Sequence, residues 1–548
     1  MIPIYFNASS HIWIFGLFVF NGLLLTWLLR SKFKSFNSIT QPLEAQVLSG
    51  FFISVGLNGL ILLLFECLSL EFSLARWPLG FIALGQATLV YVFIFRQKKY
   101  HVFSVEITIA RFVLYLLVFI ILFFNGGLID KVSDAWWHMS LANKISLEST
   151  YSPAAGHLVG LPTRYYPPLW HGNLALANQL SGISIAVFWN SLTAWVAVLK
   201  VMAFYLFTYG ISKNKTIALL AAILFVLLPG MGVSYLRVSA WPSHIAYTAW
   251  YAMFYVFTLL LDGLPTGKVA LRQTLLQLIS TSASKIVTLL CLSIVIFFTH
   301  KAEILWFAVA WFGYLIAASL SRSWSTNDQY IVARDHFLLL YFYRAILVLI
   351  ATFGLWFAVN HSYPKIGFTD QLLANLLPVA ISVILFLLDI RFKSKIPLRC
   401  IWLVLLALIL GSVDYTHLYS LFVPELALQA GQYYESSAIG IGFFGGELKV
   451  PSWHLQLRSG LLYSGVLSVI VAVVLLVVNP NRLSILTAGT GCVAMLFCAS
   501  PYLYHWLQGV LNYHSPWRIS LMIFPPIVWA YVLVTLNEFR TKLADPRA

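Results

Sequence analysis

Apolar runs of roughly twenty residues recur from one end of this 548-residue chain to the other, and they constrain it more than any motif. A helix needs about 20 predominantly apolar residues to cross a bilayer. Backbone inside lipid must satisfy its own hydrogen bonds, so runs of this length read as helices. The runs fall near 11–29, 46–68, 76–95, 107–124, 185–209, 216–230, 243–261, 284–299, 303–320, 337–359, 371–389, 399–413, 460–478, 483–499 and 519–536. They predict an all-α polytopic membrane protein with about fifteen transmembrane helices. Composition agrees: 60% of residues are hydrophobic and 10% charged, against about 25% charge in soluble domains. A water-soluble enzyme, a disordered chain, a coiled coil and a disulfide scaffold are thereby excluded.

The chain carries 34 Lys and Arg against 19 Asp and Glu, a net charge of +15. In a membrane chain such an excess marks cytoplasmic loops, so no nucleic-acid partner is expected. Arg30, Lys32, Lys34, Arg96, Lys98, Lys99, Lys213, Lys215, Lys268, Arg272, Arg391, Lys393, Lys395 and Arg399 all fall in alternate loops. That alternation predicts a periplasmic N-terminus and a cytoplasmic C-terminus, as in a bacterial inner membrane. Cys67, Cys291, Cys400, Cys492 and Cys498 lie in or beside apolar runs without metal-ligand spacing, so neither a disulfide nor a zinc site is expected. No basic region precedes the first apolar run, so no cleaved signal peptide is expected.

Two outer loops are long, at 125–184 and 414–459. The organisation expected is a three-helix extension over 1–100, a catalytic membrane module over 101–360, and C-terminal helices over 361–548. In the first loop, Asn125-Gly126-Gly127 ends a span and Ser133 can cap a short helix. At about 100° per residue, Asp134, His138, Leu141 and Ile145 share one face, with Trp136, Met139 and Asn143 opposite. Apolar groups on both sides suit a helix at the membrane interface. The loop continues through Arg164, Tyr165, Tyr166, Pro167, Pro168, Leu169 and His171. The prolines dictate an extended entry into the next helix. Aromatic faces stack on sugars and Arg grips phosphate bidentately.

Further polar positions on the outer side are Arg237, Trp241 and His244; His300, Lys301 and Glu303; Asp414 and His417; and His514 with Arg518. Lys200 lies inside a span, where it either snorkels to the cytoplasm or serves a function. Gly440, Gly442 and Gly445 fit G-x-G-x-x-G, but no strand precedes them in this reading, so a flexible or re-entrant loop is expected. Walker, H-E-x-x-H and G-x-S-x-G motifs are absent from the sequence.

The loop Asp134-Ala135-Trp136-Trp137 through Ile145, followed by Tyr165-Tyr166-Pro167-Pro168-Leu169, resembles the GT-C superfamily of membrane glycosyltransferases. These include oligosaccharyltransferases, protein O-mannosyltransferases and lipid A aminoarabinose transferases. The match covers about forty residues. Some members carry Asp-Lys before the two prolines; this chain does not, and Arg164 would stand in. The resemblance implies an inverting transfer of sugar from a polyprenyl-phosphate donor to a cell-envelope glycan or lipid acceptor on the outer face. It implies Asp134 as the catalytic carboxylate, with Asp130 as competitor. Arg518, Arg164, Arg237, Lys301, Glu303, His300, His138, Tyr165 and Tyr166 would bind substrate or phosphate. A divalent cation, Mg or Mn, would sit on Asp134 and Glu303 if present. The alternative is a transporter or flippase of a lipid-linked glycan, which requires charges along a path through the membrane. The two long loops are expected to fold over one cavity open to the outer leaflet.

Overall fold

A computed structural model describes residues 7–97, 108–125, 133–149, 167–228, 240–262, 271–300, 439–443, 446–450, 462–479, 481–499 and 521–544, with parts of 303–317. The backbone gathers into two compact units. One comprises 1–265, 269–304 and 529–548; the other comprises 266–268 and 305–528.

In the first unit, α1 (Ala8–Lys32), α3 (Leu43–Cys67), α4 (Phe72–Arg96) and α8 (Ile185–Ser212) are long and apolar enough to cross a membrane, as is the Ala283–His300 part of α11 (Leu271–His300). They are joined by α2 (Lys34–Ile39), α5 (Ile109–Asn125), α6 (Ser133–Glu148), α7 (Leu169–Ser181), α9 (Lys215–Leu227) and α10 (Pro242–Asp262). The protein is thus an integral membrane protein, predominantly helical among its described residues. The spans expected at 11–29, 46–68, 76–95, 107–124, 185–209, 216–230, 243–261 and 284–299 each fall on a helix. Those at 337–359, 371–389 and 399–413 lie outside the described residues, so fifteen is not established as the count.

Local chemistry sets the helix ends. Asn7 caps α1 by accepting from Ser10 N at 3.0 Å. Asn214 caps α9 from Thr216 N and Ile217 N at 2.9 and 3.2 Å. Both satisfy amides that a helix start leaves open. Gly182, at φ +71°, ends α7 in a conformation glycine adopts without strain.

Within the unit, α8 is the axis, 89% buried over its apolar window, whereas α4 at 22% is peripheral. Around α8 pack α10, α9, α5, α3, α7 and α1. With no hydrophobic drive between helices in lipid, close backbone approach supplies the cohesion. Gly22 of α1 meets α3 so closely that a Cβ there would lie 2.0 Å from the Gly50 carbonyl oxygen. Gly22 N also donates to Ser54 Oγ at 2.8 Å. In the second unit a Cβ on Gly489 would lie 2.1 Å from the Gly313 oxygen.

Four expectations are corrected. The second unit contains an antiparallel hairpin, β1 (Ile439–Phe443) with β2 (Gly446–Val450), so the chain is not wholly α. Gly440 and Gly442 lie in β1, replacing the expected flexible loop with a strand; the glycines still do not lead from a strand into a helix, so the dinucleotide reading stays excluded. Residues 271–283, expected in a loop, extend α11. On the side of α6 opposite His138, Met139 is buried while Trp136 and Asn143 are exposed, which adds to the expected two-sided apolar character. Lys200 is 4% exposed and enclosed by protein, so it does not snorkel. The remaining helices are α12 (Leu462–Val478), α13 (Arg482–Ala499) and α14 (Pro525–Ala544).

Candidate functional site

The loop helix starts where the sequence places it. α6 opens at Ser133 with Asp134 in its first turn. His138, Leu141 and Ile145 are all buried, so the predicted face faces protein.

The partner of that face is α7, the helical segment expected after the two prolines. Pro168 precedes it, and Trp170 to Ala177 are all buried. Its footing is the middle of α3. Leu169 fills the space over Gly59, where a Cβ would lie 2.2 Å from Leu169 Cδ1. Asn58 Nδ2 donates to Asn173 Oδ1 at 2.9 Å, and Asn173 Nδ2 donates to the Val55 carbonyl at 3.2 Å. Trp170 packs tilted on Phe18 and Phe51 and donates from Nε1 to the Ala240 carbonyl at 2.8 Å. At the other end, Gln179 reaches the Ser146 carbonyl and Ser149 Oγ, and Ser149 Oγ accepts from Phe72 N at 3.3 Å. Phe72 begins α4, beyond the end of α3. α7 therefore starts within the bundle and rises toward the α3–α4 turn.

Between α6 and α7 sits a buried aromatic and imidazole cluster. His138 Nδ1 lies 2.9 Å from His171 Nε2, and the rings stack 5.1 Å apart at 29°. Trp189 of α8 stacks on His138 at 6.1 Å and 15°. Trp137 meets both imidazoles edge-on, at 4.9 and 6.3 Å. Burial pushes the His171 imidazole down to about 3, against a backbone hydrogen bond to Pro167 that favours the charged form. His171 is therefore neutral at physiological pH. Ser146 Oγ donates to Asn178 Oδ1 at 2.7 Å, a second polar tie along the same seam.

A second predicted pair also forms. His300, ending α11, contacts the fully buried Glu303 directly through Nδ1 and Oε2. α11 packs on α10 and also touches α7. Among the described residues no three His, Cys, Asp or Glu side chains gather, and the Asp134 side chain lies outside them. One Glu303 oxygen is already engaged by His300. No step through a metal is derived from this arrangement. Asp130, Arg164, Tyr165, Tyr166, Arg237, Lys301 and Arg518 lie outside the described residues, as does the Asp134 side chain. So do Asp414 and His417, 414–438 and 451–459 of the second long loop, and the cavity those loops were expected to cover.

Sequence reasoning missed two groups. Trp189 reads as one more apolar residue of a span. Glu44, fully buried at the start of α3, pairs with Arg111 of α5 at 3.5 Å and accepts from Tyr115 OH at 3.2 Å. Their signal was a lone acid and a lone base, each within one turn of the start of an apolar run.

No family model matches the chain. No curated protein matches it either. Among solved structures it is similar to an archaeal oligosaccharyltransferase, AglB from Archaeoglobus fulgidus, solved with an inhibitory peptide and a dolichol-phosphate. The identity is 14% and the TM-score 0.45, over 80% of this chain and 52% of that one. This chain thus spans about half the length of that structure, and at that score the likeness carries no argument about chemistry.

Proposed function

We propose that this protein is a membrane glycosyltransferase of the GT-C type, moving a sugar from a polyprenyl-phosphate donor to a glycan or lipid acceptor at the outer face. The observation that carries the reading is the α6–α7 seam. The loop helix opens at Ser133 with Asp134 in its first turn, and the buried His138–His171 contact ties it to the helix that follows Tyr165-Tyr166-Pro167-Pro168. A reacting carboxylate needs such fixed support, because small misplacements cost orders of magnitude in rate.

The roles follow from charge. A carboxylate in the first turn of α6 is favoured in its ionised form by the helix dipole. Ionised, it accepts the proton of the acceptor hydroxyl. Cationic side chains, with Arg518, Arg164, Arg237 and Lys301 as candidates, stabilise charge on the departing phosphate. The polyprenyl chain occupies lipid or a groove between helices. The periplasmic placement of this face belongs to the same proposal.

A specific observation favours the transporter reading: Glu44, Arg111 and Lys200 are buried charges. Glu44 and Arg111 neutralise each other, however, and lie near the starts of their helices, α3 and α5, rather than along a path. The test is full-length purified protein with Asp134→Asn, assayed for transfer from polyprenyl-phosphate sugars. Transfer falls at least ~100-fold, the low end for a lost general base, while donor binding persists; Asp130→Asn is milder. Near-normal transfer by Asp134→Asn with Asp130→Asn inactive reverses the assignment. Counterflow of a lipid-linked glycan in vesicles, without transfer, replaces the enzyme by a transporter.

A further inference from the structure

Packing alone leaves α7 more than one seat on α3. Within a membrane no hydrophobic drive separates one apolar contact from another. The buried residues of α7, Trp170 to Ala177, are apolar or glycine apart from His171 and Asn173. Leu169 lies over Gly59, yet a Cβ on Gly56, about one turn earlier on α3, would meet nothing within 4 Å. A glycine recess is therefore open on either side of a slip. Asn58 and Asn173 are different, because both are fully buried and their bonds have direction. A carbonyl only accepts, so the Asn58 atom 3.3 Å from the Leu17 carbonyl is Nδ2. The Asn173 atom that meets the Val55 and Leu169 carbonyls, at 3.2 and 2.8 Å, is Nδ2 likewise. Backbone geometry thus fixes both amides, and the bond between them runs from Asn58 Nδ2 to Asn173 Oδ1 at 2.9 Å. A slip of one turn, about 5.4 Å, breaks that bond and the one to Val55. Asn58 Oδ1 is left buried with no donor among the described residues. A bare buried acceptor lowers stability, so cohesion by itself does not account for the pair.

We propose that Asn58 and Asn173 are positioning residues, which set the register of α7 on α3 and thereby hold α6, with Asp134 in its first turn, at the depth that transfer requires. α7 passes its register to α6 through His171 on His138, Asn178 on Ser146, and Gln179 on the Ser146 carbonyl and Ser149. Neither amide touches substrate in this role; both act through α7. A single buried asparagine sets the register of coiled coils by the same physics. The effect on transfer rests on the glycosyltransferase reading; the register does not.

Two variants separate register from cohesion. Asn58→Ala strands Asn173 Oδ1 without its donor, and stability and transfer both fall. Asn58→Ala/Asn173→Leu removes every polar side-chain atom of the pair and keeps nearly their joint volume. Exchanging both partners for apolar groups is close to neutral for stability. Amides that serve cohesion alone would let this double variant recover stability and transfer together. A register role divides the two. The double variant unfolds at the wild-type temperature, but its kcat stays about 100-fold down, the scale for a misplacement of about 1 Å, with KM for donor within about twofold. Register is read without any assay from the Trp170 indole of α7, which donates to the Ala240 carbonyl at 2.8 Å and is fully buried. In full-length protein labelled with ¹⁵N-tryptophan, with Trp170 assigned by Trp170→Phe, wild type gives one indole resonance that exchanges slowly with D2O. In the double variant that resonance splits or loses its protection. An unchanged Trp170 resonance, or a double variant as active as wild type, overturns the proposal. So does a double variant that no longer folds, because the amides would then belong to cohesion. A wild type that transfers no sugar, with Trp170 still splitting in the double variant, leaves the register role standing and removes the glycosyltransferase reading instead.

Discussion

Two buried polar clusters border α3, and they solve burial in opposite ways. Glu44, the second residue of α3, is an acid fully enclosed beside Arg111 and Tyr115. The His138–His171 cluster rests on α7, whose footing on α3 is residues 55–59. That is 11 to 15 residues further on, roughly 16–22 Å along the axis. The first cluster keeps its charges and cancels them against each other. The second sets a neutral His171 against His138, with Trp189 stacked on one imidazole and Trp137 edge-on to both. A cancelled ion pair has its valences committed to cohesion. The difference gives the Glu44 end a cohesive role, and the proposed transfer site lies at the His138 end.

The largest expected effect breaks the first half of that comparison. Glu44→Ala leaves Arg111 buried without its countercharge. Loss of one partner of a buried pair costs about 3–5 kcal/mol. Thermal unfolding in detergent should show that loss, while transfer per folded molecule stays within about twofold. The double variant Glu44→Leu/Arg111→Leu should recover most of the stability, because it removes both charges. Glu44→Gln with unchanged unfolding but abolished transfer or transport would move the functional centre to this end, and favour the transporter reading.

The sequence made the outer half of this picture legible in part. Asp134, His138, Leu141 and Ile145 follow a helical period, so α6 was readable before any coordinates, whereas the burial of His138, Leu141 and Ile145 against protein was not. The position of α7 was not. Leu169–Ser181 is thirteen residues long, too short to register as a span, and its neighbours in α3 are more than a hundred residues away in sequence. His171 looked like a surface ligand for the same reason: only contact with α6 reveals it as enclosed. Glu44 and Arg111 hid because apolar runs draw attention to their middles. The glycines of 440–445 misled in the other direction, because a hairpin of alternating glycine lacks the β-branched signature of a strand.

A smaller effect sharpens the second half. The His171 imidazole stands at about 3 in the fold against about 6.5 unfolded. A depressed histidine costs nothing above the unfolded value, where both states are neutral. Below it the unfolded state binds the proton and the fold does not. Stability is therefore lost as pH falls from about 6.5 toward 3, by up to about 1.4 kcal/mol per pH unit. Between pH 6.5 and 5 the loss is about 2 kcal/mol. His171→Gln should flatten this limb, and Glu44→Gln should leave it in place. An acid limb that survives His171→Gln would show that another group, and not the imidazole pair, carries it.

The smallest effect tests whether burial, rather than charge pairing as such, distinguishes the clusters. Lys213, which ends α8, bonds Asp262, which ends α10, at 2.5 Å, with both side chains at least a third exposed. The chemistry is again acid against base, as in Glu44 and Arg111, but water reaches it. Exposed pairs contribute about 0–1 kcal/mol. Asp262→Asn should therefore lower stability by less than about 1 kcal/mol, and added salt should erase the difference. Lys213 also sits at φ +55°, a left-handed position that favours glycine. Lys213→Gly loses the ion pair but relieves a backbone strain of about 1–2 kcal/mol. The two nearly offset, so the glycine variant should match or slightly exceed wild type in thermal unfolding. A loss of 3 kcal/mol in either variant would place this pair with Glu44 and Arg111, and burial would no longer explain why one end of the bundle depends on its charges and the other end on having none.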